Sequence, residues 1–520
     1  MLNKIKKTIF YLIFWTSLSG LFALSLNTFL KSIPINTGIN PNSKLELILC
    51  FSLILILVVS RIIQKKWIQE NKSSQQISKL NHKGKTLQVI FSLLLIACIF
   101  TAIKLPYFDL PFSGDFTVKY ASHTEPALHM AQENNFLLYK QRYMADPILN
   151  PDGTRPYIAN LPLVEWGLAL GFKAFPQIPI EIVTRGFMHL LWLAILLVSF
   201  FLFRRWVSTS QSLLIVALLA LNPISIYGSF ITVYDTLTLL FFLLILFFLS
   251  KGILRNKVSY FVWAGLLLGI GTQCKISLVV FLFPSAILLL FLNKKSFRFF
   301  VFNLIIFFTT GLGSFYFIGK TVAKMNHNLV SSLLIIVAGL VIATLLSILL
   351  SKTQPKILGQ LANVPKYVVA LSSTLILTGA LVIAFVFGKA HVLHFSQEFL
   401  TDSSLIFNFD FYNHLIFFQL KDYATALIFV LAPFGFLLAL LSKKKRIASL
   451  VLSLSLGAGM YLIVASKPIF IHNYYTQVIM LVLVFLASIS IVFITSTRNP
   501  YLRNGLIAIF IIIAFLFSCP

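Results

Sequence analysis

Fifteen apolar runs separated by short polar segments decide what this 520-residue chain can fold into. They fall at 8–30, 45–63, 87–105, 186–203, 211–228, 235–250, 258–273, 276–293, 297–318, 329–351, 367–388, 422–442, 446–465, 474–495 and 504–518. Each is near the roughly 20 residues that cross a bilayer as a helix. Inside lipid every backbone polar group needs an internal partner, and a helix supplies one for each. A soluble protein could not bury a composition that is 58% apolar, with 52 phenylalanines, whereas a membrane protein need not. The expected fold is an all-α polytopic membrane protein with about 13–15 transmembrane helices, two or three runs being re-entrant or merged. The first run follows Lys4, Lys6 and Lys7. It is too long for a signal peptide and lacks a small-residue cleavage site, so it reads as an uncleaved helix.

The formal charge of +27 invites a nucleic-acid reading, but the distribution of the charge argues for no nucleic acid partner. The cations sit in short clusters between apolar runs, as in cytoplasmic loops that obey the positive-inside rule. With the N-terminus inside, 27 of the 42 Lys and Arg residues fall on the cytoplasmic side and 14 of the 15 acidic residues fall outside, Glu70 being the exception. Both counts give one topology: a multi-pass plasma (inner) membrane protein with a cytoplasmic N-terminus. The four cysteines lie in or beside apolar runs, so neither a disulfide framework nor a redox compartment is readable.

The chain divides into N-terminal helices (1–105), an extracytoplasmic loop (106–185), a helical bundle (186–388), a second extracytoplasmic loop (389–421) and C-terminal helices (422–520). The first loop holds eight of the fifteen acidic residues: Asp109, Asp115, Glu125, Glu133, Asp146, Asp152, Glu165 and Glu181. Within it, Ser122-His-Thr-Glu125 has capping-box spacing and Pro126 suits an early helical position, which predicts a short helix to about Asn134. Asn150-Pro-Asp-Gly153 is a turn. Leu161 to Phe175 is too short to span. Apolar residues at 161, 164, 168, 172 and 175 predict a helix lying in the outer interface with that face in lipid.

Asp115 follows Gly114 just after the third run, near the outer surface, where a carboxylate can take a proton from an acceptor hydroxyl. The plain alternative is a solvated loop residue, and Lys119, one helical turn later, is a candidate ion-pair partner. Asp235 and Lys275 each sit at an outer helix end. Ionisable groups at that depth are functional candidates, against the alternative of side chains snorkelling to water. His391, His394 and Glu398 share one helical face at i, i+3 and i+7, a spacing that metal ligands use. A divalent metal is therefore compatible with the sequence, although no motif demands a cofactor. Neither a P-loop nor a Rossmann fingerprint occurs, which suits a lipid-linked donor better than a nucleotide sugar.

Gly114-Asp115, Val118-Lys119, Asp152-Gly153, Leu161-Pro162-Leu163 and Trp166 together resemble the first outer loop of polyprenyl-phosphate-sugar-dependent glycosyltransferases. These are enzymes of the GT-C fold similar to protein mannosyltransferases and the aminoarabinose transferase of lipid A. Arg185, Asn222-Pro223, Tyr234-Asp235, Gly271-Thr-Gln-Cys-Lys275 with Pro284, and His472-Asn-Tyr474-Tyr475 fit the same pattern. The likeness covers about residues 106–300 and 472–478. It implies a GT-C-like helical bundle and a loop carboxylate acting as general base, which maps to Asp115. Phe116 stands where the commoner Asp-Glu pair has its second acid, so Glu125 is a rival. Lys275, Arg185 and His472 would ring one outer cavity and hold a lipid phosphate, while Tyr474 and Tyr475 are site candidates or plain aromatic-belt residues. The expected activity is sugar transfer from a polyprenyl-phosphate carrier to a lipid, glycan or protein acceptor outside the cytoplasm. Alternatives are a transporter or flippase of lipid-linked glycans and a lipid-diphosphate-dependent polymerase or ligase.

Overall fold

The computed structural model describes residues 77–112, 117–134, 161–275, 277–292, 297–324, 425–442, 444–471, 473–495 and 505–511, with isolated positions between 405 and 415. Among these residues the architecture is helical throughout. In chain order the helices are α1 (Ile77–Ala102), α2 (Thr117–Gln132), α3 (Leu163–Ala174), α4 (Ile180–Phe203), α5 (Thr209–Ala220), α6 (Pro223–Gly228) and α7 (Tyr234–Arg255). They continue as α8 (Ser259–Cys274), α9 (Ser277–Leu292), α10 (Phe297–Lys324), α11 (Ala426–Leu441), α12 (Lys445–Val464), α13 (Ser466–Ile471) and α14 (Gln477–Ile494). Short 3-10 turns at Leu105–Tyr107 and Asn473–Thr476 precede α2 and α14.

Four of these helices, α4, α7, α12 and α14, are long and apolar enough to cross a membrane, and shorter apolar helices pack among them. Lipid gives helices little hydrophobic reason to associate, so close approach through small residues has to hold them. Gly435 on α11 meets the backbone of Leu486 on α14, and the Ser490 hydroxyl donates across the same contact to the Leu431 carbonyl at 2.7 Å. Gly265 lets α8 approach Thr310 and Phe307 of α10, and Gly457 lets α12 approach Phe281 and Ser285 of α9. Aromatic pairs fill the centre, with Phe203 stacked on Phe485 at 4.8 Å and Phe242 edge-on to Phe281 at 4.3 Å.

Four sequence expectations change. The run 211–228 is not one span, because the chain breaks at Asn222 and restarts as α6 with Pro223 in its first turn. There the Asn222 side chain accepts the Ile224 amide at 3.1 Å. A side-chain cap and a proline together stop one helix and begin the next. Helix α4 starts at Ile180 rather than 186, with Glu181 in its first turn where the helix dipole favours an acid. Apolarity alone ends that run at Arg185, but Arg185 is buried and finds partners, so the helix continues past it.

The expected capping box lies inside α2, which begins at Thr117 and carries Pro126 in its interior at the loss of one helical hydrogen bond. Helix α3 is the fourth correction. Leu161, Val164, Leu168 and Phe172 face the protein core and not lipid, leaving Leu170 and Phe175 exposed. Packing of α2 and α4 against α3 covers the face that its composition alone would assign to a bilayer.

Candidate functional site

Helix α7 begins with Tyr234 and Asp235, and α8 ends just before Lys275, so these three residues meet at one end of the bundle. The Lys275 ammonium donates to both Asp235 oxygens, at 2.9 and 2.7 Å, and the pair is largely buried, with side-chain exposures of 13% and 6%. The ammonium also lies 3.8 Å from the centre of the Tyr475 ring. Tyr475 is buried in the 3-10 turn before α14, so it is a floor for the cation rather than a belt residue. A charge taken out of water needs such partners.

A second network touches the first through Tyr234. Glu165 on α3 is wholly buried. One of its oxygens accepts from His123 Nδ1 of α2 at 2.8 Å, and the other accepts from the Tyr234 hydroxyl at 2.5 Å. The His123 and Tyr234 rings meet edge to face at 5.1 Å. Three helices are thus pinned on one carboxylate. The chain approaching α3 is anchored too, since the Leu161 amide donates to the Gln273 carbonyl at 2.7 Å, two residues before Lys275.

Arg185 points to the loop before α2. Its guanidinium donates to the carbonyls of Phe108 at 3.0 Å, Leu110, and Pro111 at 3.3 Å, and lies over the Phe112 ring at 5.3 Å. A planar fork of donors suits several carbonyls at once. One turn further along α4, His189 contacts Thr101 at 2.9 Å and the wholly buried Lys104 at 3.4 Å, and Lys104 lies against the Phe100 ring. Glu125 is half-buried, and its Oε2 is buried with no hydrogen-bond partner among the described residues.

The expected site residues therefore divide. Asp235, Lys275 and Tyr475 come together, whereas Arg185 holds the loop 108–111. Asp115, His472, His391, His394 and Glu398, and the side chains of Lys119 and Tyr474, lie outside the described residues. No group of three potential ligands that could hold a metal ion occurs among the described residues. Sequence reading missed His123, Lys104 and His189, and did not single out Glu165 among the loop acids. An acid in the first turn of a twelve-residue helix whose one other charge is Lys173 was the available signal for Glu165.

The described helices follow an archaeal oligosaccharyltransferase, AglB from Archaeoglobus fulgidus in complex with an inhibitory peptide and a dolichol-phosphate. The TM-score is 0.53 over 84% of this chain and 56% of that one, at 13% identity. This is a GT-C fold. A second structure of the Archaeoglobus fulgidus oligosaccharyltransferase, tethered to an acceptor peptide containing the NVT sequon, gives a TM-score of 0.51 over 83% of this chain at 13% identity. Its apo form gives 0.51 at 11% identity. The chain spans a little over half the length of these GT-C structures, covering 54–56% of them. The sequence model of the family described as dolichyl-phosphate-mannose-protein mannosyltransferase matches residues 155–315. That stretch contains Glu165, Arg185, Tyr234, Asp235 and Lys275, and leaves Asp115, Glu125 and His472 outside. Among curated proteins, none matches the sequence.

Proposed function

We propose that the chain transfers a sugar from a polyprenyl-phosphate carrier to an acceptor hydroxyl on the extracytoplasmic side of the membrane, inverting the anomeric carbon. The observation that carries this reading is the Asp235–Lys275 pair resting on Tyr475, the pair itself lying within the family-matched part of a GT-C fold. A phosphate that leaves the sugar gains charge as the glycosidic bond breaks, and a fixed ammonium stabilises that charge without reorganising. Asp235 orients the ammonium and Tyr475 supports its other side. In this reading Lys275 and His472 meet the donor phosphate, and Arg185 positions the loop that leads to Asp115. Asp115 takes the proton of the acceptor hydroxyl, displacement occurs in one step, and the configuration inverts.

Asp115 is the proposed base because it follows the Arg185-held loop and precedes α2 in the chain. Glu125 is the second candidate, and its unpartnered buried oxygen favours it. The similar archaeal structures hold a dolichol-phosphate and a tethered acceptor peptide, which supports a lipid-phosphate donor here and a peptide or glycan acceptor. The test is transfer by purified protein from a radiolabelled sugar on a polyprenyl monophosphate. Asp115→Asn should keep the fold and lose at least ~100-fold in turnover. Near-normal turnover moves the base to Glu125, with Glu125→Gln as the next variant. Transfer from a nucleotide sugar without a lipid intermediate overturns the donor assignment. Transfer only from a lipid diphosphate moves the chain to the polymerase or ligase reading.

A further inference from the structure

Asp235 and Arg255 lie in the first and last turns of the 22-residue helix α7, about 30 Å apart along its axis. At the Arg255 end, the turn after α4 packs against the end of α7, and the Trp206 indole donates to the Ser250 hydroxyl at 2.9 Å. Three cations converge there on two rings. The Arg205 guanidinium sits 4.4 Å from the centre of Phe247. Lys251 lies 5.4 Å from the Phe247 ring centre and 4.8 Å from that of Tyr260. Arg255 donates to the Tyr260 hydroxyl at 3.2 Å. Among the described residues no carboxylate pairs with any of the three. Arg205 Nε is buried and has no hydrogen-bond acceptor among the described residues. Burial, and then the neighbouring charge of Arg255, push the Arg205 guanidinium below its ordinary proton affinity.

Like charges gathered over aromatic rings, with one buried donor unanswered, describe half of an ion pair. The missing half is an anion with several oxygens, because three cations approach it from the ends of two helices, α4 and α7. Partly buried aromatic side chains then lead away from the cluster along α7 and α8. Phe248 stands 6.4 Å from Tyr260 and stacks on Trp263 at 6.3 Å. An apolar strip leading from an anion site is what an acyl chain needs and what a free phosphate does not use. Basic recesses between helices on the cytoplasmic side are suited to lipid head groups, and the charge distribution places these turns on that side.

We propose that Arg205, Lys251 and Arg255 form a binding site for the phosphate of an anionic phospholipid, whose chains lie along Phe248 and Trp263. The site is remote from the proposed donor site and independent of the activity assigned to it. The test uses the full-length purified protein in detergent. It is titrated with phosphatidylglycerol or with phosphatidylcholine of the same acyl chains, and bound lipid is counted by native mass spectrometry. Phosphatidylglycerol should bind about tenfold more tightly than phosphatidylcholine. Arg205→Gln and Arg255→Gln should each lose about tenfold in that affinity, while Lys467→Gln, which removes one charge elsewhere, should not. Where the Gln variants aggregate, Arg205→Lys supplies the reading: it keeps the charge, removes Nε, and should bind phosphatidylglycerol less tightly than the parent. Equal binding by parent and variants overturns the site. Inorganic phosphate that binds alone, and displaces phosphatidylglycerol at matching concentrations, overturns its assignment to a lipid.

Discussion

Replacing Lys275 tests whether its ammonium serves folding, donor use, or both. In the parent, two contacts of 2.7 and 2.9 Å neutralise an Asp235 side chain that is only 6% exposed. Lys275→Met removes one partner and leaves that carboxylate in a site that water barely reaches. Breaking a buried pair from one side costs about 3–5 kcal/mol, a large share of the ~5–15 kcal/mol that holds a domain folded. The double variant Lys275→Met/Asp235→Leu removes both charges and fills similar volume. It should recover to within ~1 kcal/mol of the parent, because buried pairs are often neutral when exchanged for apolar groups. The assay is thermal unfolding in detergent, followed by tryptophan fluorescence and analysed as a double-mutant cycle. Transfer from the lipid-phosphate donor is measured on the same samples. Stability should return in the double variant and transfer should not, since the fixed ammonium proposed to meet the phosphate is gone. If the single variant is as stable as the double, the pair carries no folding free energy and the energetic argument fails. If transfer returns with stability, Lys275 is structural only, and the donor site lies elsewhere.

Three further outcomes are expected. Arg185→Lys keeps the charge but cannot reach three carbonyls, so limited proteolysis between residues 106 and 116 should accelerate, and kcat should fall more than KM; an unchanged cleavage pattern would dissociate Arg185 from that loop. Tyr234→Phe removes one of two donors to the buried Glu165 carboxylate and should destabilise the protein by about 1–3 kcal/mol, read as a lower Tm. A Tm equal to the parent's would mean that the short contact carries little. A reporter active only outside the cytoplasm should work when fused at 150 and fail at 75 or 444, and the reverse pattern would invert the topology and remove the active-site argument.

Apolar runs located α8, α9, α12 and α14 to within about three residues at either end, because length and hydropathy are local properties. The errors arose where a polar residue is satisfied by something distant. Arg185 ends an apolar run in the sequence, yet α4 runs through it because three carbonyls 74 to 77 residues earlier receive its guanidinium. The capping-box pattern at Ser122 was outweighed by an earlier helix start at Thr117. At the site, Asp235 and Lys275 were visible singly, as charges at helix ends, but 40 residues of sequence hid their pairing. Glu165 and His123 are 42 residues apart, and neither spacing nor composition announces that α2 and α3 meet on one carboxylate. Lys104 was one cation among fifteen on the outer side, and only packing shows it wholly enclosed.

The bond from the Leu161 amide to the Gln273 carbonyl has a thermodynamic consequence. It joins the segment that leads into α3 to the last residues before Lys275, so the two cannot shift independently without breaking a short backbone bond. Under the proposed function, donor binding at the cation end and any acceptor binding that displaces Leu161 then draw on a shared conformational equilibrium. Linkage requires such effects to be mutual: if bound acceptor raises donor affinity by some factor, bound donor must raise acceptor affinity by the same factor. Measuring the two dissociation constants, each with and without the other ligand, should return one coupling factor different from unity. A factor of one would mean that the tether transmits nothing.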